Sequence, residues 1–230
     1  MNTPTSRRHA RRPYIVGFGG SLRANSSTEK AVRLALQAAE RAGAETLLIE
    51  GPALELPMYD YGRAKDSPAA LRLVHELRRA NGVILASPGY HGSISGLMKN
   101  AIDYIEEMSK DAAPYLHGRA VGCIATAGGW QAGVSTMAAL RDVVHALRGW
   151  PTPLGVVINT SEPLFDAAGK CLQEKVRDQL EYLGQQVAEF ALHPSNVKPQ
   201  HPLATWAYTP FFDAVTNPVP GDTMETAWTA

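Results

Sequence analysis

Apolar residues recur in two alternating patterns along most of the chain. Short apolar runs mark five strands: Tyr14–Phe18, Glu45–Glu50 around Leu47-Leu48-Ile49, Val83–Ala86, Ala120–Thr126 and Pro153–Ile158. Such runs fit strands buried on both faces, as in a parallel sheet. Between and after them, apolar positions spaced by three and four mark helices. These span Ser27–Ala42, Ser67–Ala80, Gly96–Met108, Gln131–Arg148 and Lys170–His193. In the last, Val176, Leu180, Leu183, Val187 and Phe190 form one stripe. Gly43 and Asn81-Gly82 stop the first two helices, and Ser67-Pro68 opens the second with a cap and a first-turn proline.

Strand and helix thus alternate five times, with no internal repeat or interdomain linker. That alternation predicts a three-layer α/β sandwich, a parallel sheet with helices on both faces. Right-handed crossovers leave few strand orders, and ligands in such folds sit outside the carboxyl ends of the strands, where the order switches. Glycine-bearing polar loops follow the first, third and fourth strands. In a flavodoxin-like five-stranded sheet of order 2-1-3-4-5 these strands are neighbours, so the three loops surround one crevice.

The first of these loops, Gly17-Phe18-Gly19-Gly20-Ser21-Leu22-Arg23-Ala24-Asn25-Ser26-Ser27-Thr28, joins a strand to a helix. Its glycines allow a sharp turn and close backbone approach. Ser21, Ser26, Ser27 and Thr28 supply hydroxyls, Arg23 a charged fork, and the helix a positive dipole end. It contains no G-x-x-x-x-G-K-[ST], and Leu22 stands where a dinucleotide fingerprint needs its third glycine. The donor set suits a terminal phosphomonoester such as that of FMN; the alternative is a Ser-capped helix after a glycine turn.

Charge and cysteine content narrow the classes. Lysine plus arginine equals aspartate plus glutamate, 22 each, a balance ill suited to nucleic acid. Cys123 and Cys171 are distant and form no redox or metal motif. No apolar run approaches a membrane span, and no histidine pair has metal-ligand spacing with supporting carboxylates. Arg7, Arg8, Arg11 and Arg12 are followed by Pro13 and a β-like run rather than an apolar export segment. Residues 1–12 are therefore expected to be a disordered basic arm, and the protein cytoplasmic. Residues 13–193 form the main domain. Residues 194–230 hold six of the sixteen prolines, with Trp206, Tyr208, Phe211, Phe212 and Trp228. This extension is expected to dock on the domain or wrap a partner subunit.

The second loop region, Ser87-Pro88-Gly89-Tyr90-His91-Gly92-Ser93-Ile94-Ser95-Gly96-Leu97-Met98-Lys99-Asn100-Ala101-Ile102-Asp103, is the most informative run. Pro88 and the glycines shape a turn at a strand end, and Tyr90 can lie against a planar ring. Here the chain resembles the NAD(P)H-dependent FMN reductase family of flavodoxin-like flavin and quinone reductases, over about 15–190. Gly20–Thr28 matches the family's G-S-x-R-x-x-S phosphate loop. Ser87–Asp103 matches its P-x-Y-x-x-S-x-x-G-x-x-K-N-x-x-D run, and Ala127-Gly128-Gly129 its glycine loop beside the isoalloxazine. Leu56-Pro57-Met58-Tyr59-Asp60 looks like its L-P segment. Gly89 and His91 depart from residues common there.

The resemblance implies that Ser21, Arg23, Ser26, Ser27 and Thr28 hold the FMN phosphate. It implies that Pro88, Gly89, Tyr90, His91, Gly92, Ala127, Gly128 and Gly129 border the ring. Hydride would pass from NAD(P)H to the flavin and on to an acceptor, with the chemistry the cofactor's own. His91 is a candidate proton donor. The acceptor would be free flavin for a partner monooxygenase, or a quinone, and the enzyme a homodimer or homotetramer. Lys99 and Asp103, one turn apart, form either a subunit contact or an exposed pair. An FMN-dependent dehydrogenase or quinone/azo reductase for one organic substrate is the alternative. An electron-carrier flavodoxin is a third class, though carriers are usually acidic with Thr-rich loops.

Overall fold

The computed structural model describes residues 12–23 and 26–192. The N-terminal arm before Arg12 and the extension from 193 onward lie outside the described residues, as do Ala24 and Asn25 of the first loop. Among the described residues seven strands and five α-helices follow in order: β1 (Tyr14–Gly19), α1 (Ser27–Arg41), β2 (Glu45–Ile49), α2 (Pro68–Arg79), β3 (Gly82–Tyr90), β4 (Ser93–Ile94), α3 (Gly96–Asp103), β5 (Ala120–Ala127), α4 (Trp130–Ala146), β6 (Trp150–Pro151), β7 (Val156–Asn159) and α5 (Glu174–Leu192). The sheet runs β2-β1-β3-β5-β6, with β7 also beside β5 and β4 beside β3. All pairings are parallel except the β3–β4 hairpin. The sheet has the flavodoxin-like order expected from the sequence.

Each strand feeds both faces of the sheet. Val16, Phe18, Val83, Leu85, Val121 and Cys123 point to a core closed by α2, α3 and α4. Ile15, Ile84, Ala86, Ile124, Val156 and Ile158 point to a second core under α1 and α5. Alternation along a strand divides one apolar run between two layers. Gly184 lets α5 approach α1 closely: a Cβ there would stand 2.0 Å from the Ala35 carbonyl oxygen. Beneath the sheet's amino edge, buried Arg119 donates to the carbonyls of Ala80, Tyr115 and Arg78 at 2.8, 2.6 and 3.2 Å. Burial lowers the Arg119 pKa from its ordinary value.

Several boundaries differ from the sequence reading, each for a visible reason. The fifth strand, expected over Pro153–Ile158, is two short pieces, β6 and β7. Prolines 151 and 153 cannot donate to the ladder, and Arg141 takes the carbonyls of Thr152 and Pro153 at 2.8 and 2.9 Å. The last helix starts at Glu174, not Lys170. Asp166 to Gly169 form a turn in which the Lys170 N–H donates to Asp166 Oδ1 at 2.8 Å. The third helix tightens to a 3₁₀ turn over Tyr104–Met108. Arg12, assigned to the arm, hydrogen-bonds the carbonyls of Gly43 and Ala44 at the α1–β2 turn, both at 3.1 Å.

The largest difference is at the second loop. Ser87–Tyr90 continue β3, and β4 returns antiparallel with Tyr90 opposite Ser93. His91 and Gly92, with φ of 52° and 84°, are the two turn residues, as a type I′ hairpin requires. Pro88 is tolerated in the strand because β1 ends level with Ala86. Beyond that point β3 pairs in the parallel sheet only with β5.

Candidate functional site

Register places the three glycine loops side by side. Gly19 of β1 lies beside Ala86 of β3, which lies beside Ile124 of β5; two residues on, Pro88 pairs with Thr126. The turns after β1, β3 and β5 therefore leave the sheet at adjacent points of its carboxyl edge.

The β1–α1 turn is held from below and from the side. Ser26 caps α1, its Oγ accepting the Glu29 N–H at 3.2 Å. Ser21 Oγ accepts the Arg23 N–H at 3.3 Å. Gly51, two residues past the end of β2, backs the turn so closely that a Cβ would stand 1.9 Å from the Ser21 carbonyl oxygen. Arg33 secures this contact by bridging Glu29 in α1 at 3.2 Å and Glu50 at 3.1 Å. Among the described residues Arg23 is exposed and makes no ion pair. Glu29 is buried, and its Oε2 has no hydrogen-bond partner among the described residues.

The other two loops abut each other. A Cβ on Gly89 would lie 2.5 Å from Thr136 Oγ1 and 3.3 Å from the Ala132 carbonyl, so the hairpin rests against the first turns of α4. Thr136 Oγ1 also lies 3.3 Å from the Ser93 carbonyl. Glycine at 89, a departure from residues common in the resembled family, is what this approach requires. Ser87 Oγ accepts the Ser95 N–H at 2.9 Å, and Ser95 caps α3, locking the base of the hairpin. Ala127 is buried, whereas Gly128 and Gly129 have open space where a Cβ would stand. No side chain caps α4 at Gly129, so its first-turn N–H groups and dipole face outward.

Not every candidate presents its side chain to this rim. Thr28 is buried, and its hydroxyl pairs with that of Thr126 at 2.6 Å, tying α1 to β5. Ser26 is buried and engaged as the cap. Ser21 and Ser27 are partly exposed, and Arg23, Tyr90, His91, Gly92 and Gly128 are exposed. Lys99 and Asp103 pair at 2.6 Å on an exposed face of α3. The next residue, buried Asn100, holds the segment after β2: it accepts the Tyr59 N–H at 2.8 Å and donates to the carbonyls of Leu56 and Pro57. Tyr59 packs edge-on against Tyr104, and burial plus the neighbouring Glu107 raises the Tyr59 pKa.

Sequence reading gave no role to Gly51, Thr126, Asn100 or Trp130. Asn100 lay inside the matched Ser87–Asp103 run and Trp130 directly after the third glycine loop, so these two carried a local signal; Gly51 and Thr126 carried none. Two clefts elsewhere, lined by Leu154 with the start of α5 and by α1 with Ala167–Gly169, share no residue with the three loops.

This rim fits a ligand with an anionic end and a flat end. One side offers Ser21, Ser27, Arg23 and the first turn of α1; the other offers glycine backbone at Gly92, Gly128 and Gly129, where a Cβ would meet nothing within 4 Å. The Gly51 contact leaves no room for a side chain there, and hydroxyls, a guanidinium and a helix N-terminus are donor types that suit a phosphomonoester.

Comparison with known proteins finds relatives by sequence and by fold. The chain is 28% identical over 190 residues to the NADPH-dependent FMN reductase ArsH of Shigella flexneri, covering 83% of this chain and 72% of that one. It is 28% identical over 106 residues to an NADPH azoreductase of Bacillus sp., 46% of this chain and 56% of that protein's length. Among solved structures, the flavoenzyme NAD(P)H:acceptor oxidoreductase FerB of Paracoccus denitrificans superposes with a TM-score of 0.62 at 22% identity, covering 78% of this chain and 97% of FerB. The model of NADPH-dependent FMN reductases matches residues 13–163, a span that contains all three loops, and the chain belongs to that family.

Proposed function

We propose that this chain is an NAD(P)H-dependent FMN oxidoreductase that binds FMN on the carboxyl edge of its sheet and serves a small acceptor, free flavin or a quinone. The convergence of the three strand-end turns carries the reading. Ser21, Ser27, Arg23 and the α1 N–H groups hold the phosphate, while Ser26 and Thr28 position that turn from inside. The Pro88–Gly92 hairpin and Ala127–Gly129 border the ring. When bound, FMN supplies the two-electron redox chemistry between nicotinamide and acceptor. The outward N-terminus of α4 favours negative charge at the ring's edge. His91 fills a turn position that needs φ above zero, a conformation histidine tolerates better than most residues; its part in the site is to present the hairpin backbone.

Among the described residues no helix is long and apolar enough to cross a membrane. The proposal extends to action in the cytoplasm, as a homodimer or homotetramer, with a flavin-dependent monooxygenase among the recipients of reduced flavin. The test is anaerobic titration of the FMN-loaded protein with NADPH and with NADH. Bleaching of the flavin absorbance by one equivalent of either supports the proposal; an unchanged spectrum with both overturns it.

A further inference from the structure

Two large aromatic side chains stand uncovered beside the glycine loops. Trp130, the first residue of α4, is 62% exposed, and Tyr90, at the end of β3, is 54% exposed. Neither ring has an aromatic or cationic partner among the described residues. Their backbones are brought together by the contact between Gly89, next to Tyr90, and the Ala132 carbonyl, two residues beyond Trp130. Val134, one turn along α4 from Trp130, is also exposed. Gly128 and Gly129, directly before Trp130, have open space where a Cβ would stand. Exposed tryptophan costs apolar hydration, and an indole face gains most from a flat partner.

We propose that Trp130, with Tyr90, is the specificity element for the acceptor: a stacking platform that selects flat aromatic acceptors such as naphthoquinones over compact inorganic ones. The inference rests on the flavin reading for its chemistry. The quinone takes two electrons and two protons to become the hydroquinone as NADPH and one proton are consumed and NADP⁺ is released. The platform itself needs no flavin to bind a flat ring.

The test uses the full-length protein and its Trp130→Ala and Trp130→Phe variants. Calorimetry with 2-naphthol, flat and uncharged, should show about a tenfold loss of affinity in Trp130→Ala and recovery to within about threefold in Trp130→Phe. In the FMN-loaded protein, the ratio of kcat/KM for a 1,4-naphthoquinone to that for ferricyanide should fall about tenfold in Trp130→Ala and recover in Trp130→Phe. Equal 2-naphthol affinity in all three proteins overturns the proposal. So does a raised KM for NADPH with an unchanged acceptor ratio, which assigns the indole to the nicotinamide. If no protein oxidises NADPH, the flavin reading fails while the calorimetry still decides on the platform.

Discussion

Gly51→Ala tests whether the first turn is a cradle. The added Cβ would stand 1.9 Å from the Ser21 carbonyl oxygen, against about 3.3 Å for a relaxed carbon–oxygen contact. The two segments must separate by about 1.4 Å. Arg33 anchors the Gly51 side through Glu29 and Glu50, so the Ser21 turn is the part that moves. Overpacking of this kind costs about 1–3 kcal/mol. If the displaced turn must return to its place to hold phosphate, that cost appears as a loss of FMN affinity of roughly one to two orders of magnitude. The assay is quenching of FMN fluorescence on binding, beside thermal melting of the flavin-free protein. Ala53→Gly, an exposed change in the same 3₁₀ turn, serves as control. An unchanged FMN affinity in Gly51→Ala would refute the reasoning, since the Ser21 backbone would then lie outside the grip.

Three further outcomes follow from the packing. Thr28→Val and Thr126→Val should each destabilise the chain by about 1–2 kcal/mol, because each leaves a buried hydroxyl unpaired. The double variant should cost less than the sum, a coupling that chemical denaturation of the four proteins measures. Arg119→Met removes the donors from three carbonyls at the base of the sheet and should cost about 2–4 kcal/mol, seen as a lower denaturant midpoint. Tyr14 donates to Glu76 at 2.7 Å, and burial, with that carboxylate, pushes its pKa up to about 12. With the folded value raised above the unfolded one, this stabilisation is complete below about pH 10. It is lost as pH rises to 12; Tyr14→Phe should remove that alkaline dependence from the unfolding free energy.

The sequence made the layers legible because apolar strands and amphipathic helices write their periods locally. The meeting of the three loops at one sheet edge was legible for the same reason: glycines, hydroxyls and Arg23 sit at strand ends. What stayed hidden depends on partners far away in the chain. Thr126 meets Thr28 across 98 positions, and Gly51 matters only through Ser21. The hairpin read as a loop because Pro88 and a His-Gly turn mask a strand; the end of β1 at Gly19 removes the neighbour that would have excluded the proline. Gly89 likewise looked like a departure until α4 was seen against it. Candidate Thr28 was correctly placed near the turn, but its hydroxyl faces inward, which spacing along a helix start does not reveal.

The most direct measurement compares FMN with riboflavin, which has the same ring and lacks the phosphate. Fluorescence titration of the flavin-free protein should show one FMN bound per chain and riboflavin bound about a hundredfold more weakly, with Arg23→Ala narrowing that gap. Equal affinity for the two flavins, or no binding of either, would contradict a site built from a phosphate turn at one end and glycine loops at the other.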